Sequence, residues 1–339
     1  LIRQLCILLV LTIGAGSPAL AQSNTLDSVR DRGTLRCGVD VNIAGLARRS
    51  ENGVWNGLEI DFCRAFAGAT LGDSNAVEFV PIQFRDRFPA LQSGEVDVLA
   101  STSVGTFGRD TAQGIDFVGP YFVETGSILV RSDLGLSRFD QFGSIPVCFV
   151  TGTLQETILS DWEAQTGVTL LKVSMPDWDS ARAGYRDGRC DGLSNTRTSL
   201  LAFRQSLAQP DSHRLIDDAV GIAGLYFGVR HSDDRWEDII RWTFNTLVLA
   251  EEYGITQVNS VRLSQDSQNP VIRRLLSPEN NLGEALGLDG EWALQAINAA
   301  GNYGEIYSRA FGESTALPIP RDMNRLWTQG GIMYSPPFD

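Results

Sequence analysis

Apolar and polar positions alternate along this chain with two periods, and the periods take turns. The run TLRCGVDV (residues 34–41) reads as a strand. LEIDFCRAFAGAT (58–70) places Ile60, Phe62, Cys63, Phe66 and Ala67 at helical spacing. AVEFVPI (76–82) is a strand again, RDRFPALQSG (85–94) a short helix stopped by Gly94, and EVDVLAS (95–101) the next strand. The cycle then restarts. IPVCFV (145–150), VTLLKVS (168–174) and CDGLSN (190–195) read as strands, separated by helical TLQETILSDWEAQTG (153–167) and DWDSARAGYRDGR (177–189). Alternating strand and helix predict an α/β class with a largely parallel sheet.

A short phrase is written twice. Gly94, Asp97, Leu99 and Thr102 recur with the same spacing as Gly188, Asp191, Leu193 and Thr196. Each copy ends a helix, stops it with glycine and enters an inner strand whose carboxyl end carries a polar loop. Ligands of open α/β sheets bind at that edge, so two such lobes facing one another make a cleft. The extended apolar runs FVETGSILVRS (122–132) and GLYFGVRHSDD (224–234) bracket the second cycle and predict two crossover strands. Residues 233–252 form an amphipathic helix with Trp236, Ile239, Ile240, Phe244, Leu247 and Val248 on one face. The tail adds more helix, rich in Asn, Gly and Pro. The expected division is a signal peptide over 1–21, a discontinuous first lobe over 22–129 and 226–339 that includes a C-terminal helical extension, and a second lobe over 130–225.

The first residues place the mature chain outside the cytoplasm. Arg3, the apolar run 5–13 and the Ala19-Leu20-Ala21 end form a cleavable secretory signal, too short for a membrane span. The formal net charge is −13, which repels phosphate backbones and argues against nucleic acid as a partner. Past the signal stand Cys37, Cys63, Cys148 and Cys190. Four cysteines allow three pairings. An oxidising compartment favours bridges, and proximity along the chain favours Cys37–Cys63 and Cys148–Cys190. No close Cys-x-x-Cys pair exists and the two histidines lie elsewhere, so no metal and no cofactor is expected. His213 and His231 also fall away from the cleft-edge loops, which disfavours a Ser–His–acid hydrolase.

In order, the phrases RGTLRCGV, NGLEIDFCRAFA, RFPALQSGEVDVL, GRDT, FVGPYF, VCFVTGT, GRCD, RWTFNTLVLAEEYGIT, NPVIRRLL, GNYGEIYSRAFG and LWTQGGIMYSPP span residues 32–337. The chain resembles the periplasmic solute-binding proteins of amino-acid ABC transporters, and within them the general L-amino acid-binding subset. The resemblance implies a two-lobed fold hinged on two crossover strands. It also implies an L-amino acid or related carboxylate in the cleft, delivery to inner-membrane permease subunits, and a monomer in the periplasm. The cysteine positions match the subset's two-bridge pattern.

Arg109 follows the first cleft-edge strand, and a guanidinium grips a carboxylate with two parallel hydrogen bonds. The resemblance places the arginine that holds the ligand α-carboxylate here; otherwise Arg109 pairs with Asp110 at the surface. Thr102 and Thr106 in the same loop offer hydroxyls and carbonyls. The start of the 153–167 helix, with Gly152, Thr153 and Leu154, offers N–H groups suited to an anion, and the resemblance puts a second grip on the carboxylate there. Asp40, Ile43 and Leu46 lie in the loop that relatives use against the ligand side chain; without aromatics it looks tolerant. Two departures stand out. Val104 replaces a threonine that helps hold the ligand. Thr196, beside Asn195 and Arg197, replaces the aspartate that pairs with the α-ammonium. Asp40 could supply that charge, neutral acceptors could suffice, or the ligand is a non-amino-acid carboxylate with Arg197 reading a second acid. A dehydratase on the same fold would need a buried acid, and the cleft loops offer few.

Overall fold

The computed structural model describes residues 24–40, 43–143, 145–219 and 221–339. The expected signal peptide, 1–21, lies outside them. Helix α1 (Thr25–Arg32) leads into β1 (Leu35–Val39). A small ribbon of β2 (Arg48–Arg49) and β3 (Trp55–Asn56) precedes α2 (Leu58–Leu71), β4 (Val77–Pro81), α3 (Arg87–Gln92), β5 (Val98–Val104) and α4 (Phe107–Ala112). The long β6 (Ile115–Arg131) carries the chain into β7 (Pro146–Val150), α5 (Leu154–Thr166), β8 (Leu171–Met175), α6 (Trp178–Arg186), β9 (Gly192–Thr196), α7 (Arg197–Gln205) and β10 (His213–Leu215). Strand β11 (Ile222–Arg230) returns, followed by α8 (Asp234–Glu252), α9 (Ser260–Asp266), α10 (Pro270–Leu276), α11 (Leu282–Leu286), α12 (Trp292–Ala300) and α13 (Tyr303–Phe311).

The strands run in the order β4-β1-β5-β11-β6-β9-β7-β8, with β10 also on β6. Strands β4, β1 and β5 are mutually parallel, as are β8, β7 and β9. Within this sheet the antiparallel pairings are those made by the crossover strands β6 and β11. Ile115 to Thr125 of β6 pair with β11, and Gly126 to Val130 pair with β9. One strand therefore belongs to both lobes, and the α/β two-lobed architecture follows from it.

The repeated phrase does the same work in each lobe. Gly94 and Gly188 both take left-handed backbone, with φ of +76° and +72°, where any other residue is strained. The N–H groups of Asp97 and Asp191 donate to Arg36 and Pro146, each at 2.9 Å, docking the inner strand onto the first strand of its lobe. Each lobe also holds one bridge: Cys37–Cys63 ties β1 to α2, and Cys148–Cys190 ties β7 to the entry of β9.

Two elements differ from the periodicity. β5 continues to Val104, so Thr102 stands on a strand and not in a loop, because β11 pairs Leu225 with Val104 and extends the ladder. The first crossover strand begins at Ile115, ahead of the expected Phe122. Its register against β11 shifts between Leu225 and Phe227, opposite Pro120, which has no N–H to donate.

The larger core lies between β1, β5, β6 and β11 on one side and α2, α8, α12 and α13 on the other. All six face residues expected of α8 are buried in it. α12 crosses α2 at Gly68, where a Cβ would come within 2.7 Å of the Ala299 side chain. The second lobe has two smaller cores, one on each face of its sheet.

Candidate functional site

The carboxyl ends of β5 and β9 face one another across a cavity enclosing about 520 Å³ of empty space, part of it open to solvent. Thr102, Val104, Arg87 and Arg109 line it from the first lobe. Thr153, Leu154, Gln155, Arg182, Asn195 and Thr196 line it from the second, and Glu124 from the crossover strand. Among the sequence-derived candidates, Ile43, Thr102, Arg109, Thr153, Leu154, Asn195 and Thr196 meet here.

Arg109 spans the cleft. Its Nη1 donates to the Val104 carbonyl at 2.8 Å and its Nη2 to the Gly152 carbonyl of the opposite lobe at 3.2 Å. The surface pairing with Asp110 is not formed. Val104 thus serves through its backbone, while its side chain offers no hydroxyl. Burial lowers the pKa of Arg109, yet a guanidinium stays charged at any physiological pH.

Arg87, in the helix expected over 85–94, was not among the sequence-derived candidates. It is 1% exposed, and burial lowers its pKa to about 10. Its guanidinium lies 3.8 Å from the Phe84 ring centre and 4.8 Å from that of Phe88, while Arg109 covers Phe88 at 5.6 Å. Stacking on rings satisfies its charge partly, but Nε and Nη1 are buried without an acceptor. Phenylalanine on each side of an arginine at short spacing was the signal available in the sequence.

Beneath the cavity lies a buried acid pair. The Thr102 hydroxyl donates to Asp40, and its N–H donates to Glu59 at 2.8 Å. Tyr121 donates to the same Glu59 oxygen. Burial, reinforced by Asp40, pushes the Glu59 carboxyl up to about 8; burial raises Asp40 as well. Thr102 has φ of +38°, an uncommon conformation for a β-branched residue, and these two acceptors hold it there.

Several expectations change. Asp40 does not line the inner cavity. It backs Thr102 and faces an adjoining outer chamber, reached past Ile43, Phe84, Trp178 and Arg182 and lined also by Arg85, Asp177 and Asp179. Thr106 caps α4, accepting from the Arg109 N–H at 3.3 Å, and stands outside the cavity lining. Gly152 contributes its carbonyl only. Its N–H, expected to be open to an anion, is taken at 2.7 Å by Glu156, an acid drawn to the positive end of α5. Thr153 turns its hydroxyl onto the Val150 carbonyl and neither it nor Thr151 caps the helix. Arg197 is an exposed helix start. The cleft does hold an acid, but on a strand: Glu124 is buried, with a carboxyl raised by burial.

The sequence matches the model of the bacterial extracellular solute-binding proteins, family 3, over residues 35–313. The chain belongs to this family. As a family 3 solute-binding protein it is 39% identical over 318 residues to the glutamate/glutamine/aspartate/asparagine-binding protein of Rhodobacter capsulatus, covering 94% of each chain. It is 37% identical over 330 residues to the general L-amino acid-binding periplasmic protein of Rhizobium johnstonii, covering 97% of this chain and 96% of that one. Among solved structures it superposes, with a TM-score of 0.89 and 37% identity, on a periplasmic binding protein from Brucella ovis with glutathione bound; the match covers 94% of this chain and all of that one. The cavity lining offers guanidinium groups, one carboxylate and several hydroxyls. Among the described residues no helix is long and apolar enough to cross a membrane.

Proposed function

We propose that this chain is the periplasmic binding component of an amino-acid ABC transporter, taking an L-amino acid with a polar or acidic side chain and handing it to inner-membrane permease subunits. The observation that carries this reading is Arg109, whose guanidinium reaches carbonyls on both sides of the cleft. A carboxylate placed there replaces those weak acceptors with charge-assisted bonds and draws the lobes together. Thr102, Thr153, Leu154, Asn195, Thr196 and Ile43 complete its surroundings. The unpartnered Nε and Nη1 of Arg87 supply a reason for a second acceptor on the solute. The names of the Rhodobacter relative and of the glutathione-bound Brucella protein point the same way.

The lobes are assigned as 22–129 with 226–339, and 130–225; β6 changes partner from β11 to β9 between Thr125 and Gly126, a few residues before the first boundary. Action by binding and not by turnover is part of this reading, supported by the relatives, which are named as binding proteins. Glu124 keeps a dehydratase as the second reading, since such an enzyme requires a buried acid, and loss of a prephenate-like acid on incubation would establish it. Isothermal titration with the standard L-amino acids tests the main reading. At least one is expected to bind, and Arg109→Ala to lose binding a hundredfold or more. Equal affinity for wild type and Arg109→Ala refutes the site.

A further inference from the structure

An α-ammonium leaving water needs an anionic partner, and the family resemblance of the sequence implies an aspartate where Thr196 stands here. Three buried acids lie near the cavity. Asp40 accepts the Thr102 hydroxyl and borders the outer chamber. Glu59 accepts from Thr102 and Tyr121 and does not line the cavity. Glu124 does line it. One of its oxygens, Oε2, accepts the Thr198 N–H at 2.7 Å, at the first turn of α7. The other, Oε1, is fully buried and has no partner.

From this geometry we infer that Glu124 is the ammonium acceptor of the site. The inference rests on the amino-acid reading above. Gly126 pairs with Thr196 across β6 and β9, so Glu124 stands on the crossover strand just past the end of β9. It reaches from the neighbouring strand into the space that a longer acid at 196 would fill. The short hydroxyl at 196 bonds Ser199 at 3.1 Å and, with Thr198, also bears on the Glu124 carboxyl, favouring its ionised form against burial. The charge has moved by one strand, not vanished.

The move changes how the solute is held. An aspartate at 196 belongs to the second lobe alone and arrives only as the cleft closes. Glu124 belongs to the strand shared by both lobes. Together with Arg109 it presents both charges of the amino-acid backbone before closure, leaving the second lobe to contribute the polar groups of Thr153, Asn195 and Thr196 and the guanidinium of Arg182.

A purely structural Glu124 would cap α7 and nothing more, and Glu124→Gln separates the two roles, because its carboxamide oxygen still accepts from Thr198. Wild type and Glu124→Gln are titrated calorimetrically with L-glutamate and with glutarate, which is glutamate without its amino group. The variant is expected to lose roughly tenfold to a hundredfold in affinity for L-glutamate, as for a lost charged hydrogen bond, and nothing for glutarate. Adding Thr196→Asp to the variant is expected to recover part of the loss for L-glutamate only. Unchanged L-glutamate affinity in Glu124→Gln overturns the assignment and leaves the amino-acid reading standing. Equal losses for both ligands also overturn it, since they indicate a positional role. A wild type that takes glutarate but not L-glutamate overturns both.

Discussion

Thr102 and Thr196 hold matching places at the ends of β5 and β9, yet the two lobes treat them differently. Thr102 is bound through both its N–H and its hydroxyl to buried acids, and its backbone is held in left-handed territory. Thr196 has ordinary extended backbone, its N–H bonded to the adjacent Asn195 side chain and its hydroxyl to Ser199. Behind Thr102 lies the large core with α2, α8, α12 and α13; behind Thr196 lie two small ones. The first lobe is a prepared surface, in which strain persists because its surroundings over-determine it. The second is a lighter cover. Rigidity on one side of a cleft is enough to define where a solute docks, and the other side is free to adapt.

The largest expected contrast is in pH. Glu59, raised to about 8, binds its proton more tightly folded than unfolded. Its contribution is complete below about pH 4.5 and is lost as pH rises through about 8, at up to about 1.4 kcal/mol per pH unit. Asp40 and Glu124, also raised by burial, share this direction. Glu59→Gln should therefore flatten the fall in urea midpoint between pH 5 and 8.5; an unaltered profile would show that Glu59 is not its source. Next in size are the bridges. Each closes a loop, 26 residues apart in the first lobe and 42 in the second, and each contributes about 3–4 kcal/mol. With the smaller cores, the second lobe should suffer more visibly. Calorimetry of the Cys148→Ser, Cys190→Ser double variant is expected to show an early, separate transition, and Cys37→Ser, Cys63→Ser a single lowered one. The reverse pattern would invert the comparison. The smallest effect is at the threonines themselves. Thr102→Ala removes a hydrogen bond to a buried acid and should cost about 1–2 kcal/mol, whereas Thr196→Ala should stay within about 0.5 kcal/mol in denaturant unfolding.

How much of this was legible before folding depends on the kind of signal. Strand and helix order follows local periodicity, and the glycine stops and α8 face were readable for that reason, whereas the bridges were favoured by proximity along the chain and by the family resemblance. Arg109 was singled out because it follows a cleft-edge strand and because the resemblance places a carboxylate-binding arginine there; the structure puts it in the cavity lining. Arg87 and Glu124 were not, since their roles come from tertiary position. Arg87 opens a short helix as a charged residue beside apolar ones, and its burial against Phe84 and Phe88 is set by the packing around it. Glu124 interrupts an apolar run whose function as a crossover masks the one acid within it. Asp40, a loop acid expected at the cleft, accepts the Thr102 hydroxyl and borders the outer chamber, a placement that only the tertiary structure shows.

Val123, the neighbour of Glu124, turns its N–H and carbonyl away from β11. Asn324 in the C-terminal extension meets both, its Oδ1 2.7 Å from the N–H and its Nδ2 2.8 Å from the carbonyl. A carboxamide has the same donor and acceptor as a peptide group, so one side chain stands in for a missing strand. Tyr303 adds a bond to the Tyr121 carbonyl at 3.0 Å. An apolar strand with a bare edge invites a second chain to pair along it. The tail is thus a selvedge: it finishes the fabric of the sheet at the one place where the thread must pass between lobes, and keeps a moving joint from becoming an adhesive one.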